Sequence, residues 1–303
     1  MKWKKRGLVF NPRGMFSWAE DTALTPTPLL VDEETIRIYA GFRDREGACR
    51  IGFVDLDAAD SLKIKRVSES PVLDIGEPGS FDDNGVILGD VIRHDRTILM
   101  YYVGFQLVRK VKFLAFTGLA ISTDGEHFER VGKVPVLDRA DGARFIRAVH
   151  SVMMENGKWR VWFAAGDGWE ILGGKPFPRY NIRCLEADSA TELRGNGRLC
   201  IDVRGDEYRI GRPRVYRIGG RYVMFYTRGT TQGGYLAGMA VSDDGLTWTR
   251  RDEDIGIGLS DSGWDSRHLC YPALIEHGGR VLMFYNGNDM GKEGVGCAEL
   301  DDG

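Results

Sequence analysis

Five runs of apolar and aromatic residues recur along the chain, each closed by a glycine. They are IRIYAG (36–41), ILMYYVG (98–104), WRVWFAAG (159–166), YVMFYTRG (222–229) and VLMFYNG (281–287). The closing glycines, Gly41, Gly104, Gly166, Gly229 and Gly287, are 63, 62, 63 and 58 residues apart. Runs of this length, rich in β-branched and aromatic residues, read as buried strands. Each has an apolar partner before it: PLLVD (28–32), GVILGDVIRH (85–94), SVMMENG (151–157), PRVYRIGG (213–220) and PALIEHGG (272–279). Short, often glycine-bearing turns join the pairs, as in hairpins. Each also has a partner after it: CRIGFVDLD (49–57), GLAISTDG (118–125), IRCLEADS (182–189), LAGMAVSDDG (236–245) and GVGCAEL (294–300). A fourth, more variable strand follows in LKIKRV (62–67), HFERVG (127–132) and LTWTRR (246–251), with a weaker version in RLCID (198–202).

The fifth repeat ends after its third strand, and the missing strand is at the start of the chain. MKWKKRGLVF aligns with LTWTRR, placing Trp3 opposite Trp248. Sustained helical periodicity is almost absent and no linker interrupts the period. The pattern predicts an all-β fold: a five-bladed β-propeller over residues 1–303, one domain, with the N-terminal strand completing the last blade. Such closure leaves no free sheet edge at the join.

Composition sharpens this picture. Glycine is 40 of 303 residues, about twice the usual ~7%, and the excess is spread through turns rather than blocks. Lys+Arg is 41 and Asp+Glu 44, a formal net charge of −3, which favours neither nucleic acid nor a membrane surface as partner. The five cysteines include no Cys-x-x-Cys, so neither a disulfide framework nor a zinc site is expected, and the cytoplasm is the expected compartment. No dinucleotide fingerprint, phosphate loop, nucleophile elbow or His-Glu-x-x-His motif occurs; no cofactor and no metal are expected.

In a propeller the starts of first strands and the ends of second strands meet on one face around the axis. Those positions carry carboxylates, arginines, amides and aromatic rings together. Asp83, Glu170 and Asp44 come from three blades and are the catalytic candidates, since glycoside cleavage uses two carboxylates flanking the scissile bond. Trp169 beside Glu170 would raise the carboxyl's pKa, and Arg43 beside Asp44 would keep that one ionised. Arg43, Phe105, Arg147, His150, Trp169, Arg212, Arg228, His268, Tyr271 and Asn286 are the substrate-binding candidates: rings for sugar faces, amides for hydroxyls, arginines for an anion.

The repeated aromatic strand, glycine and Ser-x-Asp-Gly strand end resemble the five-bladed glycosidase clan of arabinanases, xylosidases, invertases, levansucrases and mannoside phosphorylases. Within it, RIYAGFRDREGACRIGFVDLD (37–57), SFDDNGV (80–86) and GWDSRHLCYPALIEHGGRVLMFYNGN (263–288) are similar to uncharacterised glycosidase-like proteins of bacterial surface-polysaccharide gene clusters. SDDGLTW (242–248) resembles the Asp-box turn of six-bladed sialidases shortened by one residue, but the repeats number five. The resemblance implies an enzyme acting on a glycosidic bond, a glycoside hydrolase or phosphorylase. Its ligand would be a small molecule or oligosaccharide, with an anionic sugar or phosphate at the arginines. The clan's hydrolases carry carboxylates at certain strand starts. Here Thr25-Pro26 and Arg212-Pro213 occupy two of these, which favours the phosphorylase type: one aspartate, Asp83, as acid, and a basic group of Arg212, Arg228 and His150 for phosphate. Two alternatives are a glycosyltransferase using a nucleotide- or phospho-sugar donor and a non-catalytic carbohydrate-binding propeller.

Overall fold

The computed structural model describes residues 1–301. Those residues form twenty strands. In order they are β1 (Trp3–Phe10), β2 (Asp21–Asp32), β3 (Thr35–Arg43), β4 (Cys49–Asp57), β5 (Ile64–Val67), β6 (Val86–His94), β7 (Thr97–Leu107), β8 (Phe113–Ser122), β9 (Glu129–Arg130) and β10 (Ile146–Glu155). There follow β11 (Lys158–Leu172), β12 (Lys175–Ala187), β13 (Arg198–Ile201), β14 (Glu207–Ile218), β15 (Arg221–Thr230), β16 (Tyr235–Ser242), β17 (Thr249–Arg250), β18 (His268–His277), β19 (Arg280–Asn286) and β20 (Val295–Leu300). Among the described residues no helix is long and apolar enough to cross a membrane.

The strands group into antiparallel units of four: β2-β3-β4-β5, β6-β7-β8-β9, β10-β11-β12-β13, β14-β15-β16-β17 and β18-β19-β20-β1. The last unit is completed from the N-terminus, Trp3 lying opposite Leu300. Short parallel pairings link β8 to β10, β12 to β14 and β16 to β18. The first strands of the units lie side by side in a cycle, β2 by β6, β6 by β10, β10 by β14, β14 by β18 and β18 by β2.

The cores lie between successive units, where both faces of each sheet are covered. That is why the second and third strands read as continuous apolar runs rather than alternating ones. Tyr39, Tyr101, Trp162, Phe225 and Phe284 are all fully buried there. The five repeat glycines belong to this packing. None has a left-handed backbone. At Gly166 and Gly287 an added Cβ would sit 2.6 and 2.3 Å from the carbonyl oxygens of Arg179 and Trp264. At Gly41, Gly104 and Gly229 it would meet side chains instead, so the period records close packing, not turn geometry. All five cysteines are free and four are buried.

A cationic cavity built on strand bulges

Every first strand breaks register in its interior. The breaks fall between Leu24 and Thr27, Leu88 and Asp90, Val149 and Ser151, Gly211 and Arg214, and Cys270 and Ala273. A bulge of this kind leaves a residue unpaired and re-aims its side chain. Three of the bulges are Xaa-Pro steps, Thr25-Pro26, Arg212-Pro213 and Tyr271-Pro272. Proline cannot donate to the ladder, so in an inner strand it fits only at such a break. Thr25, Arg212 and Tyr271 take φ of 60°, 56° and 57°, a left-handed conformation costly for non-glycine residues. Partners from the adjoining units hold them. Asn286 Oδ1 accepts from Thr25 N at 2.8 Å, and Thr227 Oγ1 accepts from Tyr271 N at 2.8 Å. Asp90 Oδ2 and Ser151 Oγ likewise accept from Val152 N and Val215 N.

These bulges deliver Thr25, His150, Arg212 and Tyr271 to one central cavity of about 380 Å³. Its other charged lining groups are Arg43, Lys112 and Arg209, and no aspartate or glutamate lines it. Arg212 Nη1 donates to the Leu88 carbonyl at 2.5 Å and to His150 Nδ1 at 3.0 Å. A guanidinium has no acceptor, so Nδ1 must accept and the imidazole proton sits on Nε2. Burial, then Arg212 and Arg214, hold His150 well below its ordinary pKa, so it is a neutral hydrogen-bond donor. Burial and the neighbouring Arg214 outweigh Tyr271 and pull Arg212 down to about 10, still charged at neutral pH. Behind them Arg214 pairs with Asp90 at 2.6 Å and also donates to the carbonyls of Gly89 and His150, clamping two bulges to a third strand.

Arg209 lies 4.4 Å from the Tyr235 ring centroid and 5.0 Å from that of Tyr208. Tyr235 stands edge-on to Tyr271 at 5.5 Å, and its hydroxyl meets that of Tyr180 at 3.1 Å. The Nε atoms of Arg209 and Arg212 are buried without a hydrogen-bond partner. Across the cavity Phe105 packs edge-on against Phe113 at 5.1 Å, and Phe113 against Trp169 at 5.1 Å. The long β11–β12 hairpin adds Pro176, Phe177, Pro178 and Tyr180 to the wall.

Of the residues expected at the mouth, Arg43, Phe105, His150, Arg212 and Tyr271 line the cavity; Asp44, Asp83 and Glu170 do not. Asp44 is held in a turn, 2.6 Å from Arg50 and accepting from the amides of Glu46 and Ala48. Glu170 lies on β11 opposite Phe177, 3.9 Å from Arg179. Asp83 immediately precedes the lining pair Asn84-Gly85. Its Oδ2 accepts from Gly79 N at 2.9 Å, and its Oδ1 is buried without a partner. Trp169 stands behind Phe113. Arg147 donates to the carbonyls of Asp138 and Gly195, and Arg228 lies 3.5 Å from Glu207. His268 Nδ1 accepts from Asp289 N. Asn286 is committed to the Thr25 bulge, also donating to the Ala23 and Gly294 carbonyls. Arg209, Lys112, Phe177, Tyr180 and Tyr235 escaped the sequence reading. They lie on the mouth-side extensions of β12, β14 and β16 and on the loop before β8. Among the described residues no group of three or more His, Cys, Asp or Glu is placed to hold a metal.

This architecture recurs among carbohydrate-processing proteins of known structure. One described as a glycoside hydrolase superposes with a TM-score of 0.76 at 17% identity, over 99% of this chain and 92% of that one. A thermostable family-43 glycoside hydrolase gives 0.68 at 17%, over 93% and 91%. A member of the GH130 mannoside phosphorylase family, described as containing glycoside hydrolases that target β-1,2 mannosidic linkages in Candida mannan, gives 0.72 at 15%, over 99% and 94%. The chain thus has an all-β, propeller-type fold shared with these enzymes. No family model matches it. It belongs to the family of the uncharacterized protein Rv1502 of Mycobacterium tuberculosis (strain ATCC 25618 / H37Rv), with which it is 34% identical over 303 residues, 99% of this chain and 100% of that protein. The same values hold for the uncharacterized protein MT1551 of strain CDC 1551 / Oshkosh.

Proposed function

We propose that the chain is a five-bladed propeller acting on a glycosidic bond at its central cavity, as a phosphorylase-type enzyme. The cycle of first strands supports the blade count, and the unbroken period supports one domain over 1–303, of which Asp302 and Gly303 lie outside the described residues. The observation that carries the chemistry is a lining with Arg43, Lys112, Arg209 and Arg212 and no carboxylate. In hydrolysis a second carboxylate activates water or attacks the sugar. Here the cations would instead hold an anion in that place. Asp83, at the rim with one buried and unpartnered oxygen, is the general acid of this proposal. Glu170, cross-strand from the lining Phe177, is its second carboxylate should turnover prove independent of phosphate.

The test is turnover of manno-oligosaccharides and aryl glycosides with and without phosphate. We expect phosphate-dependent turnover, reduced ~10²-fold or more in Asp83→Asn. Turnover untouched by that substitution removes Asp83 from the mechanism. The carboxylate-free lining also favours a second reading, a carbohydrate-binding propeller without catalysis. In that case sugars bind wild type and Asp83→Asn alike and neither turns over any glycoside.

A further inference from the structure

Elsewhere in this molecule the buried arginines have carboxylate partners, except Arg147, which donates to the Asp138 and Gly195 carbonyls. Arg37 meets Asp55 at 2.7 Å, Arg214 meets Asp90 at 2.6 Å and Arg250 meets Glu207 at 2.6 Å. Arg209 and Arg212 break this habit. Arg212 is 7% exposed, yet its protein partners are one carbonyl, one imidazole nitrogen and the face of Tyr271 at 5.3 Å. Arg209, half-buried, packs on the rings of Phe177, Tyr208 and Tyr235. Cation–π contact offsets only a fraction of what burying an unpaired cation costs. The rest is left for something that is not part of the chain.

The chemistry of that missing partner can be read from the donors. Arg209 Nε and Arg212 Nε have no acceptor, and His150 presents Nε2–H toward the cavity it lines. The charged groups around His150 are Arg212, Arg214 and Asp90, and Asp90 is engaged by Arg214. So the imidazole does not become an acceptor at Nε2. Sugar hydroxyls need acceptors as well as donors, and the charged groups here are all donors, with the hydroxyls of Thr25 and the tyrosines as the side-chain acceptors beside them. A phosphoryl group, all acceptor oxygens, matches it. The lining also carries Phe105 and Phe113 with Leu107 and Val103, and Phe177 beside Arg209 at 5.8 Å, a surface for a flat or apolar body rather than for bare inorganic phosphate.

We propose that the cavity binds a phosphate ester, its phosphoryl group between Arg209, Arg212 and His150 and its organic part against Phe105, Phe113 and Phe177. This deepens the reading above and rests on it only for the position of the site.

Calorimetric titration of the full chain tests it with four probes: p-nitrophenyl phosphate, glucose 1-phosphate, inorganic phosphate and glucose. Both esters should bind, the aromatic one at least tenfold more tightly than inorganic phosphate, and glucose should not bind at the same concentrations. Arg209→Met and Arg212→Met should each weaken the esters at least tenfold. The ligand-free melting temperature of Arg209→Met should stay equal or rise, because that substitution removes a cation that has no carboxylate partner. A purely structural arginine would lower it. Inorganic phosphate or glucose binding as tightly as the esters overturns the proposal, and so does ester binding unchanged in Arg209→Met. Should Arg212→Met fail to fold through loss of its bond to Leu88, Arg209→Met decides, since that guanidinium packs on aromatic rings rather than holding a backbone carbonyl. Binding is measured without turnover, so an absence of glycosidic activity would count against the enzymatic reading and leave this result standing.

Discussion

His150 shows how one buried side chain ties stability to pH. Folded, it is a neutral imidazole, because burial and two guanidiniums oppose a second proton. Unfolded, it takes up that proton as the pH falls below its ordinary value of 6.5. The unfolded state then binds more protons, so the stability present above pH 6.5 is lost on acidification, by about 1.4 kcal/mol per pH unit. His268, also lowered by burial, adds to this in the same direction. His127 is raised by Asp124 and acts oppositely, but it is fully exposed. The carboxylates Glu207 and Asp252 are held below their ordinary range by Arg250 and Tyr226 despite burial, and their contributions disappear only at more acidic pH. Between pH 6.5 and 5 the slope belongs mainly to His150. Urea denaturation should show it in the wild type. His150→Asn, whose amide oxygen can still accept from Arg212, should flatten it. A slope unchanged in that variant would mean that His150 is not held neutral.

At the scale of elements, the strands were legible because their cause is local: an apolar run, a glycine, a turn. The fourth strands and the N-terminal closure were legible by analogy along the repeat. The bulges were not, since a bulge is a relation between two strands and no single strand encodes it. Its trace was nevertheless present in Thr25-Pro26, Arg212-Pro213 and Tyr271-Pro272, prolines inside what must be inner strands. The cavity was half legible for the same reason. Strand ends located Arg43, Phe105, His150, Arg212 and Tyr271. Asp44 shared their position in the repeat, but Arg50 and its own turn claim it. The wall from Phe177 and Tyr180 was invisible because KPFPRY (175–180) reads as a loop, although it extends β12 beyond the repeat. The bulge in β6 offers the sharpest test. At Gly89 an added Cβ would lie 2.3 Å from the Val149 carbonyl oxygen and 2.6 Å from that of Tyr101. Neither backbone atom can yield without moving a neighbouring strand. Gly89→Ala should therefore cost about 3 kcal/mol or prevent folding. Gly258→Ala, with nothing within 4 Å of its added Cβ, should stay within ~0.5 kcal/mol of wild type. Equal denaturation midpoints for the two would refute the close packing of β6 against β10.

For the whole molecule the decisive contact is β1 on β20. The cycle of first strands holds the units around the cavity, but each unit is stabilised by the four strands within it, and the last unit borrows one from the far end of the chain. Trp3 is buried there, donating through Nε1 to the Ile255 carbonyl at 3.0 Å and packing edge-on against Phe225 at 6.4 Å. Lys5 reaches Asp265, a buried carboxylate, at 2.7 Å. Removing residues 1–10 therefore takes out a large core side chain and strands a buried charge. It also bares the edge of β20, a template for pairing with a second chain. Loss of Trp3 alone is worth about 3–5 kcal/mol. The truncated chain should melt at a lower temperature and self-associate in sedimentation experiments. A synthetic peptide of residues 1–10 added in trans should restore both the melting temperature and the wild-type sedimentation coefficient, because the vacated groove keeps its register to Cys297 and Leu300. A truncated chain that sediments and melts like the wild type would show that the ring is held by the first strands alone, with β1 an ornament on its rim.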